Sequence, residues 1–179
     1  MSNHIMVDLE TTGTDQAYNH IIQISAVRFD LEAGTVDHDF FDRCLLPAPN
    51  RYWQESCREW WGKRPTVLRS IMDRMEDPEK VLVALRDWAG QDAIMWSKPS
   101  HFDHSFLDGY FKQYGMQIPF MFRNVNDMNS FIRSRYWPET PPNWERDLPF
   151  TGEVHNALHD TLHQIKVLFK VMEDTRAKT

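Results

Sequence analysis

An α/β domain built on a mixed sheet is the fold this sequence predicts. Three β-rich stretches separated by turn residues open the chain, helix signals dominate after residue 53, and short buried strands recur between those helices. An antiparallel meander followed by interleaved helices and strands needs a sheet of both strand senses, flanked by helices.

The elements follow in order. Residues 5–10 read as a short strand and 11–19, polar with Gly13, as a turn. Residues 21–29 make the second strand, 32–34 a turn, and 36–46 the third strand, ended by Pro47 and Pro49. Helices are expected over 53–61 and 66–75. Pro78 suits the first position of a third helix, in which Val81, Leu82, Leu85 and Trp88 form one apolar stripe before Gly90 closes it. Residues 93–96 read as a buried strand, and 103–115 as a helix with Phe106, Leu107, Tyr110 and Phe111 on its inner side. A last strand at 123–125 leads into a helix through Arg133. Residues 137–149 carry four prolines and read as a loop. The final helix spans 156–172, with Leu158, Leu162, Ile165, Phe169 and Met172 as its core stripe. No linker or repeat interrupts the pattern, so a single domain is expected over residues 1–179.

Composition narrows the function classes. Hydrophobic residues make up 41% and charged residues 26%, an ordinary globular balance. The longest apolar runs fall far short of a membrane span, and the first ten residues lack a signal-peptide pattern, so a cytoplasmic protein without membrane contact is expected. Cys44 and Cys57 are too few for a disulfide framework or a thiolate metal site. A net charge of −6 argues against gripping nucleic acid by bulk electrostatics, but not against an enzyme whose bound cations supply positive charge locally.

Three short carboxylate motifs carry the chemistry. In Val7-Asp8-Leu9-Glu10, strand alternation puts Asp8 and Glu10 side by side on one face with Met6, and Ile5, Val7 and Leu9 on the other. Neighbouring carboxylates repel unless a cation lies between them, and oxygen ligands suit Mg²⁺ or Mn²⁺. Taken alone, the pair also fits a solvated strand end. Asp103, in Phe102-Asp103, follows a buried strand and opens a helix, where it could serve as an N-cap instead. In His155-x4-Asp160, the five-residue spacing separates the two side chains on a helix, which places His155 in the loop or first turn. Asp160 lies on a second helix face with Val167 and Val171, so it points into protein or a cleft and needs a partner, either a metal or an arginine. His159 and His163 are four apart, but no HExxH accompanies them, which disfavours zinc.

Taken in order, Asp8-x-Glu10, Phe102-Asp103 and His155-x4-Asp160 resemble the DEDDh class of 3′→5′ exonucleases, with Thr11-Thr12-Gly13 as a further likeness. The resemblance runs from residue 5 to about 172 and is closest to the RNase T-like enzymes of bacteria and phages; Trp60-Trp61 and Trp96 suit that subgroup. Many members carry an asparagine shortly before the Phe-Asp pair, where this chain has Lys98-Pro99-Ser100, a change in the cleft wall.

The resemblance implies an RNase H-like fold and removal of nucleotides from single-stranded DNA or RNA with a free 3′ end. It implies two divalent ions, Mg²⁺ or Mn²⁺, held by Asp8, Glu10, Asp103 and Asp160, with His155 as general base. It sets the backbone from Leu9 to Thr11 against the terminal nucleotide and Glu10 near its 3′-hydroxyl. Trp61, Phe102 and Trp137 are candidate stacking residues, and Lys63, Arg64, Arg133 and Arg135 candidate phosphate contacts, each with core packing or plain surface as the alternative. Relatives are often homodimers, although no patch in the sequence marks one. Rival readings are an inactive nuclease-like binding module, an endonuclease of the same fold, and an adaptor whose acids are only surface charge.

Overall fold

The computed structural model describes residues 3–176; residues 1–2 and 177–179, which the single-domain expectation also spans, lie outside the described residues. Strand β1 (His4–Thr11) pairs antiparallel with β2 (Ile21–Asp30), which pairs antiparallel with β3 (Thr35–Val36) and β4 (Phe41–Leu45). Helices α1 (Glu55–Gly62) and α2 (Pro65–Met72) lead to β5 (Met75–Glu76), parallel to β4. Then come α3 (Pro78–Ala89), β6 (Ile94–Ser97), α4 (Ser100–Gln113), β7 (Val125–Asp127), α5 (Met128–Tyr136), α6 (Trp144–Asp147) and α7 (Ala157–Arg176). The sheet runs β5-β4-β2-β1-β6-β7, with β3 on the side of β2. Strands β6 and β7 join parallel to β1, which makes it the mixed sheet the sequence predicts.

The two faces of β1 are covered by different helices. Ile5, Val7 and Leu9 pack with Val81, Leu82 and Leu85 of α3 and with Phe106, Leu107, Tyr110 and Phe111 of α4. Met6 packs with Trp96 and with Ile165, Leu168 and Val171 of α7. A third cluster sets Trp61, Val67 and Ile71 of α1 and α2 on Ile22 and Cys44.

Several boundaries differ from the sequence reading: α5 and α7 run past their expected ends at 133 and 172, to Tyr136 and Arg176. The expected strand over 36–46 is split, because Asp37 leaves the ladder and its carboxyl accepts the Asp39 N–H in a local turn. The helix expected to reach residue 75 stops at Met72, and Met75–Glu76 pairs with β4 instead. Helix α4 begins three residues earlier than expected, so Asp103 sits inside its first turn and is not its N-cap. The last strand starts at Val125, after a single 3₁₀ turn over Phe122–Asn124. The proline-rich loop also contains a short helix, α6, capped by Asn143.

Among the described residues, no helix is long and apolar enough to cross a membrane.

Candidate active site

Strand register builds the first half of the site. Asp8 stands opposite Ser25 and Glu10 opposite Gln23, and a register shift follows between Glu10 and Thr11. That irregularity ends the ladder and turns the chain away just past the two carboxyls. The turn itself needs Gly13: a Cβ there would lie 2.2 Å from the Asn19 side-chain oxygen and 2.8 Å from Gln54.

Helices deliver the other groups. Asp103, 3% exposed, projects from the first turn of α4 toward the Leu9 backbone and Ser97. Asp160 comes from the first turn of α7, and its Oδ2 accepts the His155 N–H at 2.8 Å. His155 has φ +66°, a left-handed conformation that costs an L-residue about 1–2 kcal/mol and is here held by that bond. Gln23 fixes the start of α7 by accepting the Ala157 N–H at 3.1 Å, and Gln164, one turn beyond Asp160, donates to Asp8 Oδ1 at 2.8 Å. The ligand atoms of Glu10, His155 and Asp160 all lie within 4.8 Å of one another. They line an open cleft of about 380 Å³ together with Asp8, Leu9, Lys98, Glu145, His163 and Gln164.

The electrostatics are those of carboxyls crowded together out of water. Burial and then the neighbouring Asp160 push Asp8 up to about 7, against the pull of the Gln164 hydrogen bond and Lys98. Burial, followed by Asp8, Asp160 and Asp103, raises Glu10 well above the ordinary carboxyl range. Asp103 is raised by burial and by Asp8, and Asp160 by burial against the opposing His155 N–H bond. His155 is lowered by burial, with Arg64 lowering it further and Asp160 opposing. Desolvated carboxyls that raise one another keep their charge only when a cation is added.

Some expected contacts are absent. Trp61 was a candidate stacking residue, but it is 1% exposed, packs in the third core cluster and donates its Nε1–H to Thr11 O at 3.0 Å. It therefore has no face to offer a base; its role is to brace the backbone beside Glu10. Leu9 borders the cleft, with its side chain in the core on the other face of β1. Thr11 and Phe102 do not: the Thr11 hydroxyl donates to Gly13 O, and Phe102 rests on Phe106. Trp137, 83% exposed, is also outside that lining. Asp127 is a helix cap, accepting the N–H groups of Ser130 and Ser100.

The sequence reading named Trp60, Arg64 and Lys98 but not the roles they take here. Trp60 lies edge-on to the His155 ring at 4.6 Å, and the Arg64 guanidinium covers Trp60 at 3.6 Å. Lys98 is ion-paired with Glu145 across the cleft wall. Gln164 was missed, although its i+4 spacing from Asp160 was a signal that could have found it.

A mixed sheet with carboxyls gathered at the end of its first strand, from α4 and from the last helix, defines an RNase H-like fold of the kind on which 3′–5′ exonucleases are built. The chain belongs to the family described as the 3′-5′ exoribonuclease Rv2179c-like domain, whose model matches residues 3–172. Among solved structures it is similar to cell-death related nuclease 4, at 19% identity and TM-score 0.68, over 96% of this chain and 64% of that one. It is similar to the nuclease domain of 3′hExo, a DEDDh family member bound to rAMP, at 16% identity and TM-score 0.64, over 96% and 92%. The zinc-bound E. coli exonuclease I complex with single-stranded DNA is a third, at 16% identity and TM-score 0.70, over 98% of this chain and 40% of that one. The chain thus spans 64% of the first and 40% of the third of these proteins. No curated protein matches it by sequence.

Proposed function

We propose that the protein hydrolyses single-stranded nucleic acid from a free 3′ end to nucleoside 5′-monophosphates. The observation that carries this is the convergence of Asp8, Glu10, Asp160 and His155 in one open cleft, three of the four with ligand atoms within 4.8 Å, and the buried Asp103 beside Asp8 and Glu10 behind it. The donor set is hard oxygen with one imidazole, which fits Mg²⁺ or Mn²⁺. The four carboxylates would hold two such ions, which when bound polarise the phosphoryl group, lower the pKa of a bound water and stabilise the departing oxygen.

The chain's own groups do the rest. The His155 imidazole, held neutral near pH 7, takes the proton of the attacking water. The water oxygen bonds to phosphorus as the P–O3′ bond breaks, leaving a new 3′-hydroxyl on the shortened chain and a 5′-phosphate on the released nucleotide. Trp60 and the Asp160 bond to the His155 N–H hold the imidazole over Glu10 and Asp160. The Leu9 backbone forms the cleft floor for the terminal nucleotide. The ligands named for two neighbours, rAMP and single-stranded DNA, support the substrate class, and the family description supports RNA as the polymer to try first.

Digestion of 5′-labelled single-stranded RNA and DNA of one sequence, with Mg²⁺, Mn²⁺ or EDTA, tests the reading. Stepwise 3′ shortening that needs metal and is lost in Asp8→Ala and His155→Ala is expected. No cleavage of either polymer in any metal would overturn it in favour of a binding module.

A further inference from the structure

The wall of the catalytic cleft is shared with a second cavity. Lys98 and Glu145 line the cleft on one side. On the other they line a pocket of about 270 Å³ together with Asn129 and Arg133 of α5 and Asn143 and Trp144 at the start of α6. The Lys98–Glu145 ion pair borders both spaces.

The pocket has the chemistry of a nucleotide subsite. Trp144 and Ile132, both partly exposed, give it an apolar surface against which a base can stack. Arg133 has no hydrogen-bond or ion-pair partner among the described residues, in contrast to Arg135, which is engaged with Thr175. Asn129 and Asn143 add amide groups at the rim. Lys98 stands at the junction with its charge shared between Glu145 and the field of Asp8.

We infer that this pocket holds the phosphodiester and base on the 5′ side of the scissile bond, with Lys98 exchanging Glu145 for that phosphate and Arg133 as its second cationic contact. The inference rests on the exonuclease reading and names where the strand goes once its 3′ end is in the cleft. The exchange is physically cheap: a half-exposed Lys–Glu pair contributes little, and a phosphate replaces the carboxylate charge for charge. Arg and Lys positioning a phosphate carry no sequence information, which suits an enzyme that must accept every base in turn.

Kinetics on a decanucleotide and on a dinucleotide, whose only phosphate is the scissile one, test this with Mg²⁺ present. Arg133→Ala is expected to lower the ratio of kcat/KM on the decanucleotide to that on the dinucleotide about tenfold. It is also expected to reduce the slope of log KM against log salt by about 0.7, the loss of one phosphate contact on a single strand. Glu145→Gln frees Lys98 and is expected to lower KM on the decanucleotide about threefold, an effect that Asp147→Asn, the same charge change on the Arg146-paired side of α6, does not reproduce. An unchanged ratio and slope in Arg133→Ala, or a raised KM in Glu145→Gln, overturns the subsite while leaving the exonuclease reading intact. A wild type that shortens neither substrate overturns both.

Discussion

The two faces of β1 differ in what burial does for them. Ile5 and Val7 are fully buried and Leu9 nearly so, and α3 and α4 close over all three. Each such side chain stabilises the fold by about 1.5–3 kcal/mol. On the opposite face, Met6 is buried in the same way, but the next two positions are Asp8 and Glu10, raised by burial and by each other. Residues a few ångströms apart on one strand thus have opposite effects: one face stabilises the chain, and the other destabilises it unless a cation is bound. The lesson is that the site is held against its own repulsion by the core behind it.

The largest test of this contrast separates activity from stability. Asp8→Asn is expected to reduce the rate by more than about 10³-fold while raising metal-free stability by about 1–2 kcal/mol at pH 8, measured by urea denaturation. His155→Ala is expected to lower kcat by about 10²–10⁴-fold. Ile5→Ala should do the reverse, destabilising by about 2–5 kcal/mol with activity per folded molecule largely retained. If Asp8→Asn proved less stable than wild type in EDTA, the account of the carboxyl face would be wrong.

A smaller effect sharpens the same contrast through pH. The native state holds protons on Asp8 and its neighbours that the unfolded chain has already lost above pH 4. Because native proton uptake exceeds unfolded uptake, stability must fall as pH rises from about 4 through 7. In EDTA the melting temperature is therefore expected to drop between pH 5 and pH 8, and Mg²⁺ to restore it more at pH 8 than at pH 5. A metal-free melting temperature that rises over this range would contradict the placement of these carboxyls.

The smallest effect concerns Trp60. An edge-to-face aromatic contact contributes about 0.5–1.5 kcal/mol. Trp60→Ala is accordingly expected to lower kcat by about 2- to 13-fold with KM little changed, and Trp60→Phe to recover most of it. A defect confined to KM would make Trp60 a substrate contact and not the support of His155.

Periodicity carries local information, and it is local information that was legible in the chain. The alternation around Asp8 and Glu10 placed both carboxyls on one face, and the Pro78 and Gly90 signals bounded α3 as found. The His155-to-Asp160 spacing placed the histidine outside the helix, where it lies, because five residues cannot share one helix face. The split at Asp37 and the pairing of Met75–Glu76 were not legible, since a two-residue strand exists only if its neighbour is already in place.

By itself, then, the sequence determined which residues could ligate, which face each lies on, and in what order they come along the chain. Only the tertiary structure decided that they meet. Asp8 and Asp160 are brought together by α7 packing back across β1 and β2, with Gln23 and Gln164 as the bonds that fix its height. The fate of the two tryptophans was decided in the same way: Trp61 went to the core and Trp60 to His155. Adjacent residues on a short amphipathic helix differ by about 100° of rotation, and only the docking of that helix settles which one faces the cleft.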